Sequence, residues 1–301
     1  MYYLSNTFSG KMLIIAVKLL YKVDYKYTVF FRKAYSKVLM FFRNFKKVLA
    51  YGTADMFDEI AIETTTYCNR ACSYCPNSVF DRGQKKNEKL MSEELFKKII
   101  DELAVIKYKG RISPYFYGEP LLDNRLVDFM DYAHRKLPEA NIVVSTNGDF
   151  LSIQMLDKLY EAGVCSFCIT LHGDICEGTK RIKELMKYIK VTRKKIIMLC
   201  QVMNDNTALS TRVGLVKVKN VRQDDLQCLA PICINYKGDV LLCCHDYLGR
   251  SNLFGNVANE KIMGIWQKEN FKEVRKQLAR QKYVLDICKR CVDSHENYSW
   301  K

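Results

Sequence analysis

The sequence has no uninterrupted apolar run of the roughly 18 residues or more that marks a membrane-spanning helix, which excludes that class. Its nearest approach, residues 12–17, is short and broken by Lys18. No small-residue cleavage site follows clearly, so no secretory signal is recognised. Tandem repeats and low-complexity linkers are missing, and no nucleic-acid-binding motif accompanies the positive charge. Acidic residues are scarce in one place: residues 1–50 hold ten Lys/Arg against the single acid Asp24, a charge of +9 within a total of +15. The other 251 residues carry only +6, so the basicity belongs to an N-terminal segment and says little about what the rest binds.

What is present is a chain of 301 residues, 49% apolar, enough for one large domain with a smaller companion. It has thirteen cysteines. An odd count in a chain of this length does not fit a small secreted disulfide scaffold. They gather as CxxxCxxC at Cys68, Cys72 and Cys75, then as a spread C-terminal set ending in CxxC at Cys288 and Cys291. This is the usage of thiolate metal ligands in a reducing compartment, and it predicts a cytoplasmic protein.

The patterning divides the chain into residues 1–57, 58–226 and 227–301. Within the first part, residues 11–50 predict helix, because Leu13, Val17 and Leu20, then Phe31, Ala34, Val38, Phe41, Phe42 and Phe45, recur at helical spacing. Interleaved lysines and arginines make this helix basic. Two readings stay open: a peripheral contact with an anionic membrane surface, or packing on the domain with a solvated basic face. The second part alternates predicted strands (59–65, 111–117, 141–146, 164–171, 195–203) with predicted helices (92–106, 123–136, 152–162, 177–190). That order is an α/β fold with a parallel sheet and helices outside, an incomplete (β/α)6 barrel. Its sixth strand is expected within 205–226. The third part is cysteine- and turn-rich, with a hairpin turn at Lys237-Gly238-Asp239 and a helix over 268–280. It reads as a small domain organised around a metal rather than around a core.

Cys68, Cys72 and Cys75 directly follow the first predicted strand, where barrel folds place their chemistry. Three thiolates in one loop can bind three irons of a cubane cluster and leave the fourth iron open. Structural zinc normally takes four ligands in two close pairs instead. With Tyr74 before the last cysteine, the run resembles the signature of the radical S-adenosylmethionine superfamily. The resemblance implies that S-adenosylmethionine occupies the open iron and is cleaved reductively to a 5′-deoxyadenosyl radical that abstracts hydrogen from substrate. It also implies that Tyr74 lies beside the adenine. Tyr117-Gly118-Glu119-Pro120 resembles the family's GGEP motif, which contacts the cofactor's amino group, with Tyr117 in place of the first glycine. Ser145-Thr146-Asn147-Gly148 resembles a recurrent family turn, which implies that Ser145 and Asn147 reach the cofactor's carboxylate or ribose. A plain strand-ending Asn-Gly turn is the alternative. On the fourth strand, alternation sets Phe167, Ile169 and Leu171 on one face and Ser166, Cys168, Thr170 and His172 on the other. Thr170, His172 and Gln201, with Asn204, are the candidates to act on substrate.

The C-terminal spacing Cys228…Gly238-x4-Cys243, followed by Gly255-Asn256, Ile265-Trp266 and Cys288-x2-Cys291, resembles the SPASM/Twitch extension of the same superfamily. The resemblance implies one auxiliary 4Fe–4S cluster on Cys228, Cys243, Cys288 and Cys291, with Cys233 and Cys244 as possible substitutes. A zinc site built from two cysteine pairs is the alternative. Relatives with the shorter extension dehydrogenate an alcohol of a sugar-like or cyclitol substrate, and those with the longer one often modify peptides. Residues 1–50 read as basic helix rather than as a small winged, peptide-docking module. The expectation is therefore oxidation of a small hydroxylated or carbohydrate-type metabolite. The auxiliary cluster would be the electron acceptor, and a flavodoxin or ferredoxin the external one-electron donor. Peptide maturation is the competing enzymatic reading, and a zinc-binding nucleic-acid protein the non-enzymatic one.

Overall fold

β-branched residues, which fit a pleated and half-buried surface, recur through the short strand segments and draw them into one sheet. The computed structural model describes residues 2–5, 41–172, 175–203, 207, 209–220, 231–249 and 254–292. The strands are β1 (Tyr2–Ser5), β2 (Glu59–Ile62), β3 (Arg111–Ser113), β4 (Asn141–Thr146), β5 (Ser166–Leu171), β6 (Ile197–Val202), β7 (Ile232–Ile234) and β8 (Val240–Leu241). The helices are α1 (41–51), α2 (Glu93–Val105), α3 (Leu126–Lys136), α4 (Ile153–Glu161), α5 (Ile175–Thr192), α6 (Ile262–Trp266), α7 (Glu269–Ala279) and α8 (Asp286–Val292). From β2 to β6 each strand pairs in parallel with its successor, the outcome of successive βαβ crossovers.

Local chemistry explains the element ends. The Ser92 hydroxyl accepts from the Leu95 amide at 3.2 Å and opens α2, and Glu93 and Glu94 complement the helix dipole behind it. Ser152 caps α4 in the same way, accepting from Met155 at 3.1 Å. β3 stops at Ser113, four residues short of the expected end, because Pro114 has no N–H for the ladder. Beyond β2 the chain stays extended, but it pairs with 89–91 instead of β3, as in Met91 N to Thr64 O at 2.9 Å.

Two expectations are corrected, and one strand is added. Among the described residues, 205–226 contains no strand. The sixth parallel strand is β7, and it joins the other side of the sheet, beside β2. The free edge at β6 is covered by β1, antiparallel, which no periodicity signalled. Nor is the cysteine-rich part organised around a metal alone. Ile232, Ile234, Val240, Phe254, Ile262, Ile265, Trp266 and Phe271 belong to the same buried cluster as the barrel helices. β8 then returns antiparallel to β7 through a turn where Gly238 takes φ +91°, as the sequence predicted.

Of the expected N-terminal helix, residues 11–40 lie outside the described residues, and 41–51 are helical. Lys47 ties α1 to the body through Asp58 at 2.7 Å, and the Tyr51 hydroxyl accepts from the Lys109 amide at 2.7 Å. Phe41, Phe42, Phe45 and Leu49 are exposed. Among the described residues no helix is long and apolar enough to cross a membrane.

Phe96 of α2 is fully buried and stacks on Phe129 of α3 with ring centroids 4.2 Å apart. Phe96→Ala should destabilise the protein by about 3–5 kcal/mol, because the stacked ring and two helices cannot collapse into the void. Chemical denaturation checks this, and a loss below about 1 kcal/mol would mean that α2 and α3 do not share one packed layer.

Candidate functional site

The inner face of the sheet is polar where its outer face is apolar. On β5, Phe167 and Ile169 are buried among the helices, and Cys168 and Thr170 take the other side. There the Arg111 side chain donates to Ser113 Oγ at 2.8 Å, pairs with Glu59 at 3.2 Å and reaches Cys168 Sγ at 3.8 Å. Higher up, Gln201 Nε2 donates to Thr170 Oγ1 at 3.1 Å. Residues of four strands therefore meet on this face. Asn204 lies outside the described residues.

At the C-terminal mouth of the sheet sits the loop of Cys68, Cys72 and Cys75, all half-buried. Cys68 N donates to Gly83 O at 3.0 Å and Cys75 N to Cys72 O at 2.8 Å, so the loop folds back on itself. Burial pushes the Cys68 thiol up to about 12, and Cys75 and Cys72 add to it by repulsion. Burial raises Cys72 and Cys75 too, against the pull of Arg70 on the first and Arg212 on the second. Three thiols that feel one another in a half-desolvated loop cannot all ionise without further positive charge. Metal ions supply it and deprotonate coordinating thiols outright, so the residues fit a thiolate-held cluster. Among the described residues no three His, Cys, Asp or Glu side chains are arranged around a single ion. A cubane spreads its protein thiolates over separate irons and needs no such arrangement.

The loop is tethered by groups that sequence reasoning missed. Arg70 binds Asp149 in a two-pronged pair, at 2.6 and 2.7 Å, and Asn69 Nδ2 donates to the same carboxylate at 2.7 Å. Burial raises the Asp149 carboxyl, but the bonds from Arg70 and Asn69 outweigh it and leave it below the usual carboxylate range. The available signal was a charge inside the cysteine motif and an acid directly after the Asn-Gly turn. Asn147, expected to reach the cofactor, donates from Nδ2 to Asn69 Oδ1 at 2.9 Å. The Glu119 carboxylate is buried and accepts from Thr146 Oγ1 at 2.6 Å, Asn147 N at 2.8 Å and Leu121 N at 3.1 Å. It stitches the exits of β3 and β4 together, and the Glu119 amide donates to Tyr67 O at 2.8 Å, beside the cysteine loop. Ser145 lies on β4, level with Cys168.

The Tyr74 hydroxyl hydrogen-bonds His172 Nδ1, with the two rings tilted at 5.7 Å. Burial, with the nearby Arg70, pushes His172 down to about 4, so the imidazole is neutral at physiological pH.

In the C-terminal part, Cys243 is in electrostatic contact with Cys244 and Cys291, and Cys233 with Cys244 and Cys243. Cys291 Sγ lies 3.5 Å from His245 Nδ1, and buried Cys288 precedes Cys291 by three residues, close to one turn, on α8. Cys228 lies outside the described residues. Tyr117 stands between the two cysteine groups and is in electrostatic contact with Cys75, Cys243, Cys244 and Arg212. Its hydroxyl is buried with no hydrogen-bond partner among the described residues.

Residues 62–223 match the family model described as "Radical SAM superfamily", and residues 228–292 the one described as "Iron-sulfur cluster-binding domain". A curated protein of Niallia circulans, the S-adenosyl-L-methionine-dependent 2-deoxy-scyllo-inosamine dehydrogenase, is 30% identical over 254 residues, covering 81% of this chain and 98% of that protein. The crystal structure of BtrN in complex with AdoMet and 2-DOIA is similar with a TM-score of 0.67 at 30% identity, over 81% of this chain and 96% of that one. A second BtrN structure, in an open conformation, gives a TM-score of 0.58 at 27% identity, over 82% and 99% of the two chains.

At Gly118, an added Cβ would come within 2.0 Å of the Thr65 carbonyl oxygen, a main-chain atom that cannot turn aside. Gly118→Ala should therefore cost about 1–3 kcal/mol of stability and push the β3 exit away from the cysteine loop. Denaturation together with iron per chain after anaerobic reconstitution checks this. Unchanged values for both would show that the close approach is not needed.

Proposed function

Because the chain belongs to the radical S-adenosylmethionine superfamily and carries an iron–sulfur cluster-binding domain behind the core, we propose that it dehydrogenates a secondary alcohol on a small cyclitol- or aminocyclitol-type metabolite. The observation that carries the reading is Tyr117, in one buried cluster with Tyr247, three residues beyond Cys244, and with Cys75 packed against that cluster. That arrangement suits a substrate that gives a hydrogen atom on one side and an electron on the other.

When bound, the reduced cluster and S-adenosylmethionine supply a 5′-deoxyadenosyl radical that takes one hydrogen atom from a substrate carbon. In this proposal Cys68, Cys72 and Cys75 hold the first cluster, and an external one-electron donor such as flavodoxin or ferredoxin reduces it. Tyr74, oriented by neutral His172, lies against the adenine. Gly118, Glu119 and Pro120, with Ser145 and Asn147, present main-chain and polar groups to the amino-acid end of the cofactor. Thr170, His172 and Gln201 offer hydroxyl, imidazole and amide groups to a polyhydroxylated ring. The aromatic side chains of Tyr115, Phe116 and Tyr117 exclude water between the two sites. Cys228, Cys243, Cys288 and Cys291 hold the auxiliary cluster as electron acceptor.

The anaerobically reconstituted protein should hold about eight irons, and the Cys68→Ala, Cys72→Ala, Cys75→Ala triple variant about four, with cofactor cleavage abolished. Substrate is tested by 5′-deoxyadenosine release with 2-deoxy-scyllo-inosamine and related cyclitols. The expected result is enhanced release with a product two hydrogens lighter. Enhancement by peptides and by no cyclitol would overturn the reading.

A second proposal concerns α1. Its Lys47 and Tyr51 are turned toward the body, and its phenylalanines toward solvent. This supports residues 11–50 as a peripheral membrane contact, apolar side chains entering the interface and the basic excess attracting anionic headgroups. Full-length protein should co-sediment with anionic vesicles and less with neutral ones. Phe41→Ser with Phe45→Ser should weaken this while both clusters still assemble. Equal, negligible sedimentation with both vesicle types would refute it.

A further inference from the structure

Glu63 and Arg82 have no role in the reaction proposed above. Glu63 leaves the end of β2 with a side chain that has no solvent exposure. Arg82 Nη2 donates to both of its carboxylate oxygens, at 2.7 and 2.5 Å. The Tyr236 amide, in the β7–β8 turn, donates to Oε2 at 3.3 Å, and the Tyr117 amide also donates to this carboxylate. The Glu63 amide donates in turn to Ile234 O of β7 at 2.9 Å. One carboxylate thus joins four stretches of chain: the exit of β2, the exit of β3, the segment that follows the first cysteine loop, and the hairpin of the cysteine-rich part.

The guanidinium extends this joint. It lies over the rings of Phe116 and Tyr247, at 5.7 and 5.2 Å from their centroids. Tyr247 follows Cys243 and Cys244 closely in sequence and packs edge-on against Tyr117 at 4.7 Å. Its hydroxyl donates to Asn77 Oδ1 at 3.0 Å, two residues beyond Cys75. The pair is therefore linked to both cysteine groups by a short chain of direct contacts. A cleft of about 320 Å³, lined by Phe80, Arg82, Phe116, Tyr236 and Tyr247, opens beside it.

Stability alone does not account for such a pair. Desolvating two charges offsets most of their attraction, and apolar residues of similar volume usually serve as well. What the pair adds is a specific geometry, because sliding of the hairpin would take the Tyr236 amide from a carboxylate that has no solvent exposure and the Tyr247 ring from the guanidinium. We propose that Glu63 and Arg82 are positioning residues that hold the cysteine-rich part at one separation and orientation relative to the first cysteine loop, and so set the electronic contact between the two clusters. The functional consequence rests on the two-cluster reading above; the geometric claim does not.

The test uses full-length, reconstituted Glu63→Gln and Arg82→Lys, the second keeping the charge but not the planar group that lies over Phe116 and Tyr247. Amide hydrogen exchange of peptides containing Tyr117 and Tyr236, iron per chain, and the electron paramagnetic resonance spectrum of the reduced protein are recorded. Both variants should keep their iron and their substrate-free 5′-deoxyadenosine release. Exchange at Tyr236 should accelerate by about tenfold or more, and the magnetic interaction between the two reduced clusters should change. If Glu63→Gln fails to fold, Glu63→Gln with Arg82→Gln, which leaves no lone buried charge, is measured in its place. Exchange and spectrum both like wild type, or a variant that simply loses a cluster, would overturn the proposal. A wild-type protein with iron for one cluster only would sink the two-cluster reading, and hydrogen exchange would still decide the geometric claim independently.

Discussion

Three thiols half-buried in one loop repel any charge placed on them together, and the arrangement around them answers that constraint. Burial raises Cys68, Cys72 and Cys75, repulsion between thiolates adds to this at Cys68 and Cys75, and Arg70 and Arg212 oppose it with positive charge at Cys72 and Cys75. Binding a cationic cluster removes the conflict, but only where the loop is already held in shape. Arg70 to Asp149, Asn69 to Asn147 and Glu119 to the β4 exit provide that hold. Each bond runs from the cysteine loop, or from the next strand's exit, to a neighbouring strand's exit, so the rigid sheet sets the geometry of the flexible segment.

The same logic reaches the second cysteine group. A metal-centred appendage would move freely on a linker, but here the cysteine-rich part adds β7 to the barrel's own sheet and shares its apolar core. Phe254 stacks on Phe271 at 4.0 Å, and Arg275 lies over the Trp266 ring at 3.5 Å while pairing with Asp55, shortly before β2. Electron transfer between two centres needs a fixed separation, and a shared sheet and core supply it. Tyr117 occupies the junction and is the position where the chain departs from its family's glycine. Its ring packs edge-on against Tyr247 at 4.7 Å.

The sequence made the alternation of strands and helices legible because each element carries its own period and caps. The first helix of the barrel begins where Ser92 predicts, and β4 spans the predicted 141–146. The cysteine spacing made the chemistry legible, since a loop of three thiolates is a local property. Less was legible at the strand ends. Pro114 stops β3 early, and the extended chain after β2 changes partner, a choice settled by which neighbour is nearby. Arg70, Asp149, Glu63 and Arg82 carry no local pattern that names their partners, and they meet only through space.

The sequence by itself determined the parallel α/β core, the two cysteine groups and the family to which the chain belongs, because periodicity and spacing are short-range patterns. Tertiary structure alone decided that the sixth strand comes from the cysteine-rich part, that the N-terminal strand covers the opposite edge, and that Arg70 meets Asp149 and Arg82 meets Glu63. Those outcomes depend on contacts between residues tens to hundreds of positions apart. Strand order, burial and charge partnership are properties of the folded chain, and no local pattern encodes them.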